Sequence, residues 1–491
     1  MIFLCGRISI IFFSQKNKYT ENTENRPVQK ERGERKIMNR TEEKRLSMWQ
    51  KFGYGFGNLG NCFIYIVVSS YILIYCTNVI GVAAGVVGTL MMVARIFDGI
   101  TDVIMGRIID LTKSKLGKAR FWYVISIIPL GICMYLIFNI PASFSNNGKY
   151  VWIFLVYLMI SAVFYTMNTI SYNTMVALTT HSQKDQVTMS SISMLFGMGG
   201  GVAVAGVTPT VIEMLGGGQQ GYHMMSLIYA AIGCIILFVP FFSLKELPQE
   251  EDKQKPGGQK EKEKVSFIET IRDLLTNKYF IIILLLYFVG YMNSGLNSTI
   301  GVYYATYILG NASMLGILSL VGTIAMLLGI LFIPKIIEKT GMRKANVVGA
   351  VIGTVGCAVA VLGYKAGFAV LIAGLFIKGL GQVPGSASYS PLMSKTADYN
   401  YLKTGHRITG SIFSCASVGT KIGTGLGTAL CGWLLQAASF DGQAAVQTVG
   451  AENMIFILFL VIPTVLTLLT VFLYAGMDVE TKVAEMEKSR E

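Results

Sequence analysis

The stretch Ala94-Arg95-Ile96-Phe97-Asp98-Gly99-Ile100-Thr101-Asp102-Val103-Ile104-Met105-Gly106 lies inside an apolar run from about residue 86 to 110. A run of that length is what a helix needs to cross a bilayer. On a helix, Asp98 and Asp102 at i and i+4 share one face, and Arg95 lies near it. At 1.5 Å per residue from Val86, Asp98 is about 18 Å and Asp102 about 24 Å into the span, close to its middle. A carboxylate at that depth costs roughly 2.5–3.5 kcal/mol on lenient scales. Two side by side cost more unless a cation lies between them or one is protonated. The expectation is that a mobile positive ion, rather than a fixed protein partner, neutralises the pair. Arg95 alone would cancel one carboxylate and leave the second unexplained.

Working outward, similar apolar runs recur along the whole chain. Of its 491 residues 53% are hydrophobic and only 14% charged, and the mean hydropathy is +0.54, which excludes an ordinary soluble domain. The net charge of +13 would suit nucleic acid, but Lys and Arg cluster in short loops without interleaved aromatics. The eight cysteines are scattered, with no CxxC and no metal spacing, and His181, His223 and His406 form no ligand motif. No nucleophile–base or metal cluster appears, so an enzyme is not expected. The glycine-rich stretches Gly197–Gly201 and Gly419–Gly427 lie inside apolar segments, lack phosphate-loop spacing and read as sites of close helix approach.

Twelve spans are read, near 53–78, 86–110, 120–141, 150–178, 188–214, 223–244, 278–308, 313–337, 344–364, 367–394, 406–438 and 453–476. One set of loops holds Lys113, Lys115, Lys118, Arg120, Lys184, the stretch from Lys245 to Lys278, Lys335, Lys339, Arg343, Lys344, Lys395, Lys403 and Arg407. The opposite set holds only Lys149 and Lys365. This asymmetry puts the first set and both termini in the cytoplasm of a multi-pass plasma-membrane protein. The polar segment from Lys245 to Lys264 reads as a linker between two six-helix bundles. The domain expectations are an N-terminal extension 1–47, bundle 48–245, linker 246–276, bundle 277–476 and tail 477–491, with Ser266–Thr276 a surface helix. Met1–Phe13 is too short to span, and translation is expected to begin near Met38. Gly106-Arg107-Ile108-Ile109-Asp110 before a basic loop is echoed by Pro334-Lys335-Ile336-Ile337-Glu338 before another. Such an internal repeat is the architecture of alternating-access carriers.

Other polar residues lie deep in the spans. Thr166, Thr169 and Asn173 share one stripe of span four, as hard oxygen ligands for Na⁺, as partners for sugar hydroxyls, or as helix–helix hydrogen bonds. Lys421 is about 22 Å into span eleven and must be paired, deprotonated or facing water. Lys378 in span ten is the other deep lysine, able to snorkel toward the outer surface. Trp122, Trp152 and Trp433 read as interfacial anchors.

Over residues 48 to 476 the chain resembles the glycoside–pentoside–hexuronide:cation symporter family, the melibiose-permease branch of the major facilitator fold. The motif carrying the resemblance is Asp98-x-x-x-Asp102-x-x-Met105-Gly106-x-x-x-Asp110, followed by Gly117. Tyr54-Gly55-Phe56-Gly57, Ala397-Asp398-Tyr399, Thr404-Gly405-x-Arg407 and Lys421 add to it. The resemblance implies an all-α membrane protein of twelve transmembrane helices in two six-helix bundles. It also implies symport of a sugar with Na⁺, H⁺ or Li⁺. Asp98 and Asp102, with Thr101 and Thr166, then become the cation site. The family's span-four aspartate and stacking tryptophan correspond to Thr169 and Asn173. Its span-one Lys-Asp pair corresponds to Asn61 and Cys62, and a span-five arginine to Ile192, whereas Lys421 is retained. Asn61, Cys62, Thr169, Asn173, Lys421 and Lys378 are the expected substrate residues. With the acidic sugar-gripping residues gone, an anionic sugar such as a uronide is expected to be tolerated, with pentosides or neutral glycosides close behind. Arg95, Asp110, Arg120, Glu338, Arg343, Asp398 and Arg407 form the expected charge network, holding the outward-facing state closed at the cytoplasmic side. The expected partners are a small sugar, a monovalent cation and the lipid bilayer. No nucleic acid, no cofactor and no metal beyond the transported cation is expected, and the chain is expected to act as a monomer. A carrier of a lysolipid-like amphiphile and a non-transporting membrane sensor are the alternatives.

Overall fold

A run of apolar residues inside a bilayer must satisfy its own backbone groups, and a helix does so within one segment. The computed structural model of the chain describes residues 46–141, 143–180, 182–247, 267–406, 409–444 and 446–489, and among these there is no β-strand. The N-terminal half contributes α1 (Met48–Val79), α2 (Ala84–Leu111), α3 (Lys118–Ile137), α4 (Asn146–Thr179), α5 (Gln183–Met214) and α6 (Gly218–Ser243). The C-terminal half contributes α7 (Lys278–Ile308), α8 (Met314–Ile330 and Ile333–Thr340), α9 (Met342–Ala366), α10 (Phe368–Thr404), α11 (Thr409–Ala437) and α12 (Val449 to Ala475). Ten of these are long and apolar enough to cross a membrane, and the bent pair of α8 makes an eleventh. Glycine, serine, threonine and Lys421 dilute the apolar content of α11, which is long enough at 29 residues. The expected N-terminal extension and start near Met38, and most of the expected linker, lie outside the described residues.

Helix ends follow local chemistry. Ser47 and Gln50 form a capping box at the start of α1, and Ser145, Ser182, Asn277 and Thr448 cap later helices through their side-chain oxygens. Span eight is read from sequence as one segment, 313–337, and α8 covers it as two helices bent by 54°. Pro334 lacks an N–H, and its ring clashes with the carbonyl four residues back, where Met314–Ile330 ends. The expected surface helix is present as Phe267–Thr276, tethered by Asp273, whose Oδ2 lies 2.8 Å from His406 Nδ1.

The two halves repeat a buttress at equivalent points. Gly117 (φ 107°) and Gly341 (φ 78°) open α3 and α9 in a backbone conformation that favours glycine. The Glu246 carboxylate accepts the N–H groups of Lys118, Ala119 and Arg120 at 2.7, 2.9 and 2.7 Å. Glu480 accepts those of Met342 and Arg343 at 2.9 and 3.4 Å. Arg120 donates to the Phe241 carbonyl and Arg343 to that of Ala475, so each arginine grips the last helix of its own half. A carboxylate on a helix N-terminus satisfies unpaired donors and the helix dipole together.

The halves meet at the end opposite the basic loops. Thr77 and Asn78 of α1 bond Tyr303 and Tyr307 of α7 at 3.0 and 2.6 Å. Gln436 of α11 accepts the Gly85 N–H, and Trp433, read from sequence as an interfacial anchor, donates to Thr89 of α2. A Cβ on Gly206 of α5 would come 2.5 Å from Gly316 Cα of α8. One buried cluster joins both halves through residues such as Tyr75, Tyr303 and Leu435. At the basic-loop end a separate cluster, including Tyr279, Met393 and Tyr474, belongs to the C-terminal half alone. This conformation is therefore shut at the sparsely charged end.

Candidate functional site

α2 holds both acids on one face because its helix runs unbroken from Ala84 to Leu111. Asp98 is fully buried, with 0% of its side chain exposed, and Asp102 one turn later is 18% exposed. α11 comes against this face of α2 because small residues sit on both helices. A Cβ on Gly99 would lie 3.8 Å from the Lys421 side chain, and one on Gly425 would lie 3.0 Å from that of Arg95. That approach places Lys421 Nζ 2.7 Å from Asp98 Oδ2 and 3.2 Å from Asp102 Oδ2. Arg95 Nη1 lies 3.5 Å from the same Asp98 oxygen, with its guanidinium 5.1 Å above the Tyr65 ring.

The other Asp98 oxygen faces α4. Thr166 Oγ1 donates to Asp98 Oδ1 at 2.7 Å. It follows immediately on a π-helical segment, Met159–Tyr165, the kind of local widening that often marks a functional position. Within the same region Tyr65 of α1 stacks on Tyr165, with ring centroids 3.6 Å apart. Three helices thus converge on one carboxylate.

The expectation of a mobile ion instead of a fixed partner needs correcting for this conformation. Lys421 bridges the two acids and Arg95 adds a second positive group, so Arg95, Asp98, Asp102 and Lys421 balance in formal charge. The physical reason is that neither acid can be left bare at membrane depth, and a lysine on a facing glycine-rich helix reaches both. Lys421, expected to hold substrate, is engaged here by the acids. Its side chain remains 21% exposed, so it sits at the edge of the cluster and not in sealed core.

The remaining expected residues divide. Thr101 turns its hydroxyl back to the carbonyls of Phe97 and Asp98, as threonines inside helices commonly do, and makes no bond to the acids. Asn61 donates to Asn168, which donates to Ser126, a buried chain tying α1 to α4 and α3. Cys62 packs on α5, its thiol 3.4 Å from the Gly197 carbonyl. Thr169 is half-buried and Asn173 exposed on the α4 stripe. Lys378 lies away from the acid pair, among α7, α8 and α9.

The expected charge network between halves is not what the described residues hold. Arg120 and Arg343 act within their own halves, because Glu246 and Glu480 and the carbonyls of α6 and α12 lie nearest them. Asp110 and Glu338 are exposed and make no ion pair among the described residues. Among the described residues Asp398 reaches only Lys395, at 3.9 Å, Arg95 belongs to the acid pair, and Arg407 lies outside the described residues. The sequence reading missed Glu246 and Glu480, whose signal was available. Each stands five residues beyond the carbonyl that its half's arginine uses, Phe241 and Ala475. It also missed Lys51 and Asp185, a buried pair at 2.7 Å joining α1 to α5.

The family model for MFS/sugar transport proteins matches residues 53–480. The chain belongs to that family. Membership makes it a membrane transporter with the major facilitator fold, and not an enzyme. Among curated relatives, a putative glycoside/cation symporter, YagG of Escherichia coli, is 26% identical over 455 residues, covering 91% of this chain and 93% of its own. An isoprimeverose transporter of Lactiplantibacillus pentosus is 26% identical, covering 91% and 92%. Among solved structures, a bacterial homologue of the lysosomal transporter Spinster, in an inward-facing conformation, superposes with a TM-score of 0.61 at 14% identity, covering 88% of this chain and 97% of its own. For this family member the last comparison concerns the fold alone.

Proposed function

We propose that this chain is a secondary active transporter that couples a monovalent cation, Na⁺ or H⁺, to uptake of a sugar, a glycoside, pentoside or hexuronide, by alternating access. The observation that carries the reading is the bridge from Asp98 and Asp102 on α2 to Lys421 on α11. It joins a paired-acid site in one half to a movable positive charge in the other. The names of the glycoside/cation symporter and isoprimeverose transporter relatives support the sugar and the cation. The basic loops support a plasma-membrane orientation with both termini cytoplasmic, which makes the closed end extracellular and this conformation inward-facing. Bundles 48–245 and 277–476, the linker 246–276 and the tail 477–491 are the working parts of a monomer in the lipid bilayer.

The cycle follows from charge balance. In this conformation Lys421 neutralises the acids. A cation or proton entering between Asp98 and Asp102, with Thr166 as neighbour, competes for the same oxygens and releases Lys421. The released ammonium and the polar stripe of Thr169 and Asn173 then face substrate. Because the bridge spans the two halves, exchanging Lys421 for the cation changes the contact between them, and binding is linked to rocking. Coupling is reciprocal, so the sugar must raise cation affinity by the factor by which the cation raises sugar affinity.

Proteoliposome uptake of a labelled sugar panel, with sodium and proton gradients imposed separately, tests the reading. Uptake of at least one sugar should accelerate under one gradient and lose that dependence in Asp102→Asn. Acceleration by neither gradient, or unchanged dependence in Asp102→Asn, rejects it.

A further inference from the structure

The halves are joined at the closed end by more than their helices. α11 stops at Ala437 in a Schellman turn, where the Ser439 N–H donates to the Gln436 carbonyl and the Phe440 N–H to that of Leu435, each at 3.0 Å. The residue that reverses the chain in such a turn is usually glycine. Here it is Ser439, at φ 56°, the one non-glycine residue with positive φ among the described residues. The turn fixes the direction in which Phe440 leaves α11. Its ring meets Tyr303 and Tyr307 of α7 edge-on, with centroids 5.4 and 5.3 Å away and planes at 75° and 85°. Those two tyrosines bond Thr77 and Asn78 of α1, so Phe440 packs on the side chains that join the halves.

The next residues reach across to the N-terminal half themselves. A Cβ on Gly442 would come 2.5 Å from Asn78 Oδ1 and 2.6 Å from the Thr77 carbonyl oxygen, and one on Gly81 would come 2.6 Å from Gln443 Nε2. A glycine at 442 is what lets the two backbones approach so closely. The segment is also braced. Buried Gln447 bonds both main-chain groups of Asp441, accepting from its N–H at 3.3 Å and donating to its carbonyl. Asp441 Oδ1 in turn accepts the Gln443 N–H at 3.0 Å. One short segment of the C-terminal half thus grips the end of α1. It is anchored on the last turn of α11, about 24 Å beyond Lys421 at 1.5 Å per residue.

We propose that Ser439 to Gln443 form a strap, carried by α11, that holds the extracellular end shut, and that its release from α1 is the step that opens the protein outward. The strap goes beyond the carrier reading above and takes from it the orientation of the closed end. The helix that bears the strap also bears Lys421, so freeing Lys421 from the acids and lifting the strap are movements of one element. Two edge-to-face ring pairs hold the strap down on the tyrosines, and losing them should raise the population of the open state by about fivefold or more.

The protein carries its own reporters. Cys76 of α1 and Cys431 of α11 are free thiols, 0% exposed, in the buried cluster that joins the halves. A thiol buried in the closed state reacts through the open one, so its rate reads that state's population. Full-length protein in right-side-out membrane vesicles is treated with a membrane-impermeant maleimide, and modification of Cys76 and Cys431 is followed by peptide mass. Phe440→Ala, and Gly442→Trp, which cannot seat against the Thr77 carbonyl, should each label at least about fivefold faster than wild type. Val446→Trp, on the same loop at a side chain 81% exposed, should stay within twofold of wild type. A smaller acceleration in either strap variant, or an equal one in Val446→Trp, overturns the strap. If Gly442→Trp is not monodisperse on gel filtration, Phe440→Ala decides alone. Acceleration seen only in inverted vesicles supports the strap and overturns the proposed orientation. Acceleration in a protein that takes up no sugar supports the strap and overturns the carrier reading.

Discussion

Lys421→Ala is the most informative perturbation, because under the proposed cycle a coupling cation competes for the two oxygens that Lys421 holds. The amine is 2.7 Å from Asp98 and 3.2 Å from Asp102. At an effective dielectric of about 20, a unit pair at such a distance attracts by about 5–6 kcal/mol. Dehydrating the ammonium and the carboxylates offsets most of that. Charge-assisted hydrogen bonds net about 1.5–3 kcal/mol, and the partly exposed amine argues for the lower end. At about 1.5 kcal/mol the acids are free of lysine less than about a tenth of the time, which weakens apparent cation affinity about tenfold. Removing the amine should therefore tighten cation binding by roughly that factor, while substrate binding and coupled uptake are lost. Calorimetric titration of the purified variant with Na⁺ at fixed pH, paired with a proton-uptake titration without Na⁺, reads this directly. The same variant should melt earlier than wild type without added cation and recover when the cation is supplied. Affinities for both ions that are unchanged within twofold, or weaker, would refute competition for the acid oxygens.

Asp98→Asn should abolish nearly all cation-stimulated uptake. It should also lower the melting temperature more than Asp102→Asn does, because Asp98 pairs with both Arg95 and Lys421 and accepts from Thr166, while Lys421 is the one ion-pair partner of Asp102 among the described residues; the reverse order of melting would contradict that. Glu246→Ala and Glu480→Ala should each cost about 1–2 kcal/mol by leaving helix N-terminal donors unsatisfied. Their double variant should show an additive loss in thermal unfolding, since they share no partner. Gly206→Leu cannot be fitted against Gly316 in the closed end, so it should favour the opposite conformation. That would appear as faster thiol labelling of Asn78→Cys, and slower labelling would contradict the closed-end geometry.

The fold was legible because its determinants are local. Span length, the basic loops and the polar break near Lys245 to Lys264 are all read within a window of a few turns, and proline explains the one bend that was missed. The acid pair was legible for the same reason, since i and i+4 spacing is a property of one helix. Its partner was not. Lys421 lies 323 residues from Asp98, and nothing in either segment states which face of α11 meets α2. The clue was the glycines flanking Lys421, which mark close approach without naming what is approached. Thr101 and Thr166 show the limit from the other side. Both are threonines near the acids in sequence or in register, but only Thr166 points at a carboxylate, because rotamer choice is decided by packing. The arginines were recognised and their role misassigned, since a charged loop after a helix reads alike whether it ties one bundle together or joins two.

Lys421 also changes what coupling requires. Had the acid pair stood bare, a cation would add charge to a waiting site, and the empty carrier would have to move two carboxylates through the membrane unaided. With Lys421 between them, the unloaded protein already holds a balanced cluster of Arg95, Asp98, Asp102 and Lys421 and meets no large dehydration penalty on rocking. A cation bound in its place leaves the cluster neutral again but frees one ammonium, and that ammonium then stands unpaired at membrane depth. The state with cation alone is the costly one. Substrate that accepts hydrogen bonds from the freed Lys421 removes the cost. A carrier built this way moves readily when empty or doubly loaded and reluctantly with cation alone, which is the condition for symport without a leak.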